Sequence, residues 1–195
     1  ILGIENKNSF VDKLLFYKDL LIKWNKTYNL TGITDEQDII THHLLDCLSV
    51  TKFVSAKNIM DVGSGAGLPG LILALCFPDR KITMVDKVGK KTAFIQQVIG
   101  EFNLNNARVL NGRVEDIKNY KHYDGIISRA FADMETMIKL TSHLLLDGAN
   151  WYGMKSKKSR DSEMITMKYS YHVDKIDVPH LRAERYLITV VNATN

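Results

Sequence analysis

The chain has 195 residues, 26 Lys+Arg against 22 Asp+Glu and a formal charge of +4, which suits one domain and permits a polyanionic partner without demonstrating one. With 45% hydrophobic and 25% charged residues it is neither disordered nor fibrous, and its longest apolar run, Leu68–Phe77, falls well short of the roughly 18 residues of a membrane span. Two cysteines, Cys47 and Cys76, without a Cys-x-x-Cys or a His/Cys cluster, argue against a disulfide framework or a zinc site, so the expectation is a cytoplasmic protein with no metal, no membrane segment and no export signal.

In chain order, Phe10, Leu14, Tyr17, Leu21 and Trp24 recur at helical spacing, with Ser9 placed as N-cap. After a loop over Thr27–Gly32, Thr34 and Gln37 read as a capping box for a second helix, on which Ile39, Ile40, His43, Leu44, Cys47 and Leu48 share a face. No periodic strand precedes Asn58. From there β-rich runs alternate with helical ones: a strand ending at Val62, a helix over Leu71–Phe77, a strand over Lys81–Asp86 and a helix over Thr92–Phe102. Strands over Ala107–Leu110 and Asp124–Ser128, a helix over Met134–Leu146 and a strand over Trp151–Met154 follow. Such alternation predicts a parallel sheet covered on both faces. Tyr171–Val178 and Arg185–Val191, joined by a short connection, predict an antiparallel hairpin at one edge. The expected class is α/β: a mostly parallel sheet with an antiparallel edge hairpin, residues 57–195, behind an N-terminal helical extension, residues 1–56.

The stretch Asp61-Val62-Gly63-Ser64-Gly65-Ala66-Gly67-Leu68-Pro69-Gly70 carries the most chemistry. Glycines between a strand and a helix let backbone approach a ligand closely, and the helix N-terminus offers N–H groups. Gly65, Gly67 and Gly70 fit the dinucleotide spacing G-x-G-x-x-G; Asp61, Gly63, Gly65 and Gly67 fit D-x-G-x-G-x-G, the first motif of S-adenosylmethionine-dependent methyltransferases. Asp61 favours the second reading, because a carboxylate would repel a pyrophosphate and attract an ammonium and a sulfonium. Asp86, ending the next strand, is placed to accept from ribose hydroxyls with either ligand.

After the fourth strand stands Ser128-Arg129-Ala130-Phe131. Pro69, Pro78 and Pro179 are never adjacent, so the D/N-P-P-Y/F box of amino-group methylation is absent, and Cys47 and Cys76 sit on apolar helical faces rather than in a nucleophile loop. An arginine with no general base beside it in sequence suits a target that is already nucleophilic, such as guanine N7, with catalysis resting on orientation and electrostatics.

Trp24-Asn25-Lys26-Thr27-Tyr28-Asn29-Leu30-Thr31, His43-Leu44-Leu45-Asp46, Asp61–Gly70, Gly112-Arg113-Val114-Glu115 and Ile127-Ser128-Arg129-Ala130-Phe131 occur in that order. Together they closely resemble the bacterial 16S rRNA guanine-N7 methyltransferase family (RsmG, also called glucose-inhibited division protein B), from about Phe10 to the last strand. The resemblance implies a Rossmann-like class I methyltransferase fold with S-adenosyl-L-methionine as cofactor. It implies methyl transfer to N7 of one guanine of 16S small-subunit rRNA, by direct in-line attack without a covalent enzyme intermediate. The expected partner is that RNA within the small ribosomal subunit or an assembly intermediate. It carries Gly63, Leu68, Val114, Glu115 and Arg129 over as cofactor contacts, joined by Asp61, Gly65 and Asp86 from the glycine turn and strand end. Lys155 matches a basic position in the family, and Arg129 and Lys155 are the candidate catalytic residues. Lys157, Lys158 and Arg160, with Lys87, Lys90 and Lys91, are placed toward RNA phosphates. Asn29, His43 and Asp46 are expected to form a hydrogen-bonded cluster at the cofactor mouth, His43 in a structural role. Cys47 and Ser156 depart from the serine and glycine usual in the family. Two rivals stay open: a nicotinamide-dependent oxidoreductase, and a ribosome-binding module that retains the cofactor pocket without turnover.

Overall fold

In the computed structural model, which describes residues 7–118, 120–156 and 169–192, seven strands form one sheet in the order β3-β2-β1-β4-β5-β7-β6. These are β1 (Asn58–Val62), β2 (Lys81–Asp86), β3 (Ala107–Asn111), β4 (Tyr123–Arg129), β5 (Leu145–Lys155), β6 (Tyr171–Ile176) and β7 (Arg185–Val191). The first five run parallel, and β7 is antiparallel to both β5 and β6. The chain leaves β1 toward β2 and β3, then returns to place β4 on its other side. That reversal opens a crevice beyond the carboxyl ends of β1 and β4, where ligands bind in open α/β sheets.

The central strands are apolar on both faces because helices cover both. Ile59, Met84, Ile127 and Tyr152 point into a core shared with α1 (Lys7–Tyr28), α3 (Asp46–Val50), α4 (Gly70–Cys76) and α5 (Gly89–Glu101). Their strand neighbours Met60, Val85, Ile126 and Trp151 face the opposite core, under α6 (Met134–Thr141). The helices before β1 therefore pack directly on the sheet: Leu14, Tyr17 and Leu21 are buried, and the Tyr17 hydroxyl donates to the Ala66 carbonyl inside the glycine turn at 2.8 Å.

Several local expectations are corrected. Ser9 lies within α1, which already begins at Lys7. Asp35 rather than Thr34 caps α2 (Glu36–Ile39), its carboxylate accepting from the Gln37 and Asp38 N–H groups. The second helical stretch is not one regular helix: Ile40–Leu45 is π-helical between α2 and α3. The helix after β4 stops at Thr141, and Leu145 and Leu146 belong to β5. The edge hairpin exists, with β6 outermost and β7 wedged against β5. No helix among the described residues is long and apolar enough to cross a membrane.

Candidate active site

Gly63 and Gly65 have φ of +67° and +58°, a region that side chains other than glycine's enter at a cost. A Cβ on Gly63 would lie 2.6 Å from Phe131 Cδ2, so the loop after β4 closes on the turn after β1; a Cβ on Gly65 would meet nothing closer than 4.0 Å. The turn's own donors are largely spent. Gly63 and Ser64 N–H donate to Val85 O, Gly67 and Leu68 N–H to Ser64 O, Gly65 N–H to Asp86 Oδ2 and Gly70 N–H to Asp61 Oδ2. Among the described residues, Ala66 is the position between Gly63 and Gly70 whose N–H has no acceptor (Pro69 has no N–H). A diphosphate would find little to bind, which corrects the expectation of free N–H groups and weighs against a nicotinamide dinucleotide.

Asp61 is also corrected. It is fully buried beneath the turn rather than facing a cavity, with Oδ2 on Gly70 N–H at 2.8 Å and Oδ1 without a hydrogen-bond partner. Burial pushes its pKa up to about 7, although the Gly70 N–H, the Ser64 hydroxyl and Arg129 oppose the rise. Its carboxylate lies beneath the turn, outside the walls of the two cavities at the strand ends.

Two cavities meet at the strand ends and share Gly63, Lys91 and Ala130 in their walls. The first, about 520 Å³, is bounded by Gly65, Leu68, Arg129, Lys155 and Arg185 with residues of the N-terminal segment. The second, about 480 Å³, is bounded by Asp86, Lys87, Val114, Glu115 and Phe131. Every expected site residue except Asp61 thus lines one cavity or the other. Asp86 is already oriented, Oδ2 by Gly65 N–H and Oδ1 by Val88 N–H, both at 2.9 Å. Each oxygen retains a lone pair for a hydroxyl donor. Val114 and Glu115 open a 3-10 turn after β3, Val114 buried and Glu115 exposed. Lys155 Nζ donates to Ala132 O at 2.7 Å. Lys90 lines neither cavity, and Lys157, Lys158 and Arg160 lie outside the described residues.

Arg129, the last residue of β4, organises the first cavity. Its NH1 donates to His42 O at 2.9 Å, meets His43 Nδ1 at 3.2 Å and lies 3.6 Å from Asp46 Oδ2. Nδ1 also lies 3.2 Å from the His42 carbonyl. An arginine N–H can only donate and a carbonyl only accept, so these two contacts ask for opposite tautomers, while Nε2 sits 2.8 Å from Thr31 Oγ1, which can serve as donor or acceptor. Burial first, and Arg129 second, lower the His43 pKa to about 4, so the ring is neutral at pH 7. Asp46 bridges two arginines, Oδ1 accepting from Arg185 Nε at 3.1 Å; burial raises its pKa while Arg129 and Arg185 pull it down. Thr31, not Asn29, completes the expected cluster through its 2.8 Å contact with His43 Nε2; Asn29 lines a neighbouring hollow, with Asn25 and Lys26, whose wall Thr31 shares. The sequence places no base beside Arg129; the fold brings an imidazole and a carboxylate against it, both engaged by guanidinium N–H groups. Arg185 and the His42 carbonyl carry no sequence motif and emerge from the structure alone. Cys47 and Cys76 are buried, outside both cavities, with thiols pushed up to about 12 by burial.

Residues 11–188 match the family described as rRNA small subunit methyltransferase G (GidB). The chain belongs to that family. It is 44% identical over 190 residues to the ribosomal RNA small subunit methyltransferase G of Neisseria meningitidis serogroup C, covering 95% of this chain and 91% of that protein. To the methyltransferase G of Methylobacillus flagellatus it is 40% identical over 187 residues, covering 96% and 91%. Among solved structures, a SAM-dependent methyltransferase of Aquifex aeolicus superposes with a TM-score of 0.62 at 13% identity, covering 80% of this chain and 93% of that one. The tRNA (m1A58) methyltransferase TrmI of the same organism gives 0.63 at 14%, covering 77% and 69%. The [4+2]-cyclase SpnF superposes almost as well, TM-score 0.60 at 11% identity over 78% of this chain and 81% of that one, so these superpositions fix the fold alone. Membership of the methyltransferase G family rests on sequence.

Proposed function

We propose that this chain transfers a methyl group from S-adenosylmethionine to N7 of a guanine in 16S rRNA, within the small subunit or an assembly intermediate, in the cytoplasm. When bound, S-adenosylmethionine supplies an electrophilic methyl carbon. The residues present suit it: spent N–H donors at the turn disfavour a diphosphate, and the unpartnered Asp61 Oδ1 beneath favours positive charge. Asp86 would hold ribose hydroxyls, Val114 and Glu115 the adenine, and Gly63, Gly65, Leu68 and Arg129 the other end, with Lys155 toward the RNA. With residues 1–56 as the helical extension and 57–195 as the methyltransferase domain, the extension contributes Leu30, Thr31, His43 and Asp46 to the wall of the first cavity.

The observation that carries N7 over other guanine atoms is the engagement of both bases at Arg129. Methylating an exocyclic amine or a hydroxyl requires a proton acceptor, whereas the N7 lone pair needs none. His43 Nδ1 lies against Arg129 and the His42 carbonyl and Nε2 against Thr31, Asp46 is shared by two arginines, and both thiols are buried, an arrangement that supports direct transfer without a covalent intermediate. Orientation and exclusion of water are what these residues contribute. The test is incubation of unmodified small subunits with methyl-labelled donor and cleavage of the RNA at N7-methylguanine. Label at one such guanine, with a single-turnover rate flat from pH 6 to 8 at saturating donor, is expected. Label on an exocyclic nitrogen or a ribose oxygen overturns the N7 assignment, and RNA binding without label favours a binding module.

A further inference from the structure

Arg185 reaches the first cavity from an unexpected direction. It opens β7, the antiparallel strand whose register sets Tyr186 beside Lys155 of β5, and it is matched across the hairpin by Ile176. Its side chain is only 16% exposed, and its position is fixed twice, by Nε on Asp46 Oδ1 and by NH1 on the carbonyl of Glu184 at 3.0 Å. Among the described residues NH2 has no acceptor, and Arg185 is part of the cavity wall. Arg129 lies across Asp46 from it. Two guanidinium groups share one carboxylate, so the three side chains carry a net positive charge at a crevice into which an RNA segment must enter.

We propose that Arg185 is an RNA-phosphate clamp and Asp46 its positioning residue, one carboxylate setting Arg185 on the target side and Arg129 on the donor side of the same cavity. This rests on the proposed function above and names the residue that grips its substrate. A phosphate fits better than the target base. A guanine methylated at N7 becomes cationic, and a second guanidinium against the ring would oppose that charge, whereas a backbone phosphate keeps its negative charge throughout. The fork geometry of an arginine already held at Nε and NH1 leaves the NH2 corner for a phosphate oxygen. Desolvation makes each such contact stronger than one from a solvated lysine.

The experiment uses the full chain and unmodified small-subunit RNA, reading RNA affinity across a salt series, methyl transfer, and S-adenosylmethionine affinity by calorimetry. Arg185→Ala should weaken RNA binding and raise KM for the subunit about tenfold. The dependence of log affinity on log salt should become shallower by about 0.7 to 0.9, the loss of one phosphate contact, while donor affinity stays within about twofold. Arg185→Lys should restore the salt slope. Asp46→Asn should lower kcat as well as RNA affinity, because Arg129 is loosened too. An unchanged KM and salt slope in Arg185→Ala would overturn the clamp, as would a drop in donor affinity matching that in RNA affinity. A shallower slope in Arg185→Ala, with wild-type chain that binds RNA but transfers no methyl, would leave the clamp standing and remove the proposed function. No RNA binding by the wild-type chain would remove both.

Discussion

The two walls of the crevice are built on opposite principles. The glycine turn is ten consecutive residues, Asp61 to Gly70, whose shape is set by backbone conformations and closed by hydrogen bonds within the turn and to the adjacent strand. The arginine cluster has no sequence continuity: Thr31 comes from a loop, His43 and Asp46 from the π-helical and α-helical stretches that follow it, Arg129 from β4 and Arg185 from β7. Steric constraint holds the first wall and paired charge the second. A local motif of this kind tolerates change elsewhere in the fold, while the cluster depends on all its segments arriving together. Damage to the turn should therefore register chiefly as lost stability and donor affinity, and damage to the cluster as lost turnover or lost RNA affinity.

The largest effect should follow from Arg129→Ala. It removes the donor to His42 O and the contact to His43 Nδ1 and leaves Asp46 with one arginine in a buried site, so the groups at that end of the cavity lose their positioning. Single-turnover methyl transfer at saturating donor should fall about 100-fold or more, roughly 3 kcal/mol of transition-state stabilisation. Arg129→Lys should recover less than a tenth of it, because an ammonium cannot span the same acceptors. Retention of near-normal rate in either variant would place the chemistry elsewhere. Next comes Gly63→Ala, which forces a Cβ into Phe131 at a φ of +67°. Its urea midpoint should report about 1–3 kcal/mol of lost stability. Added to a Phe131→Ala background the same change should cost visibly less, since the steric part disappears and the conformational part remains. Equal costs in both backgrounds would mean that the contact across the two loops contributes nothing.

Those two walls also mark what could be read from the chain alone. The succession of strands and helices along the chain, the glycine turn and the edge hairpin follow from period, composition and punctuation, all of which are local. Asp61 shows the limit: its identity is legible, but a residue at a strand end can point into the crevice or beneath it, and the hydrogen bond to Gly70 N–H decides for the buried side. Leu145 and Leu146 continue a helical apolar pattern and nonetheless belong to β5, where Leu145 pairs with Tyr123 of β4. Thr34 and Asp35 both satisfy a capping pattern, and it is the Asp35 carboxylate, on extended backbone, that accepts from the Gln37 and Asp38 N–H groups. Arg185 was beyond reach for a different reason: a charge at the start of an edge strand looks solvated until Asp46, far away in sequence, is folded against it.

The smallest expected effect separates the walls by proton linkage in the unliganded chain. Asp61, one wall's buried acid, holds its proton to about pH 7 when folded and releases it at 3.8 when unfolded, so raising the pH between those values costs stability. His43, in the other wall, stays neutral down to about 4 when folded but protonates at 6.5 when unfolded, so raising the pH over that range adds stability. The two slopes oppose each other from about 4 to 6.5, and only the Asp61 loss continues from 6.5 to about 7. In Asp61→Asn the falling limb is gone, and the urea midpoint should climb with pH over the window in which the wild-type midpoint stays nearly level. Asp61→Asn should also remove the gain in S-adenosylmethionine affinity, about threefold between pH 6 and 8, that ionising an acid beneath a cationic ligand supplies to the wild-type chain. If the two proteins show the same pH dependence in both measurements, the charge beneath the turn is inert and the donor site is selected by the shape of the glycine turn alone.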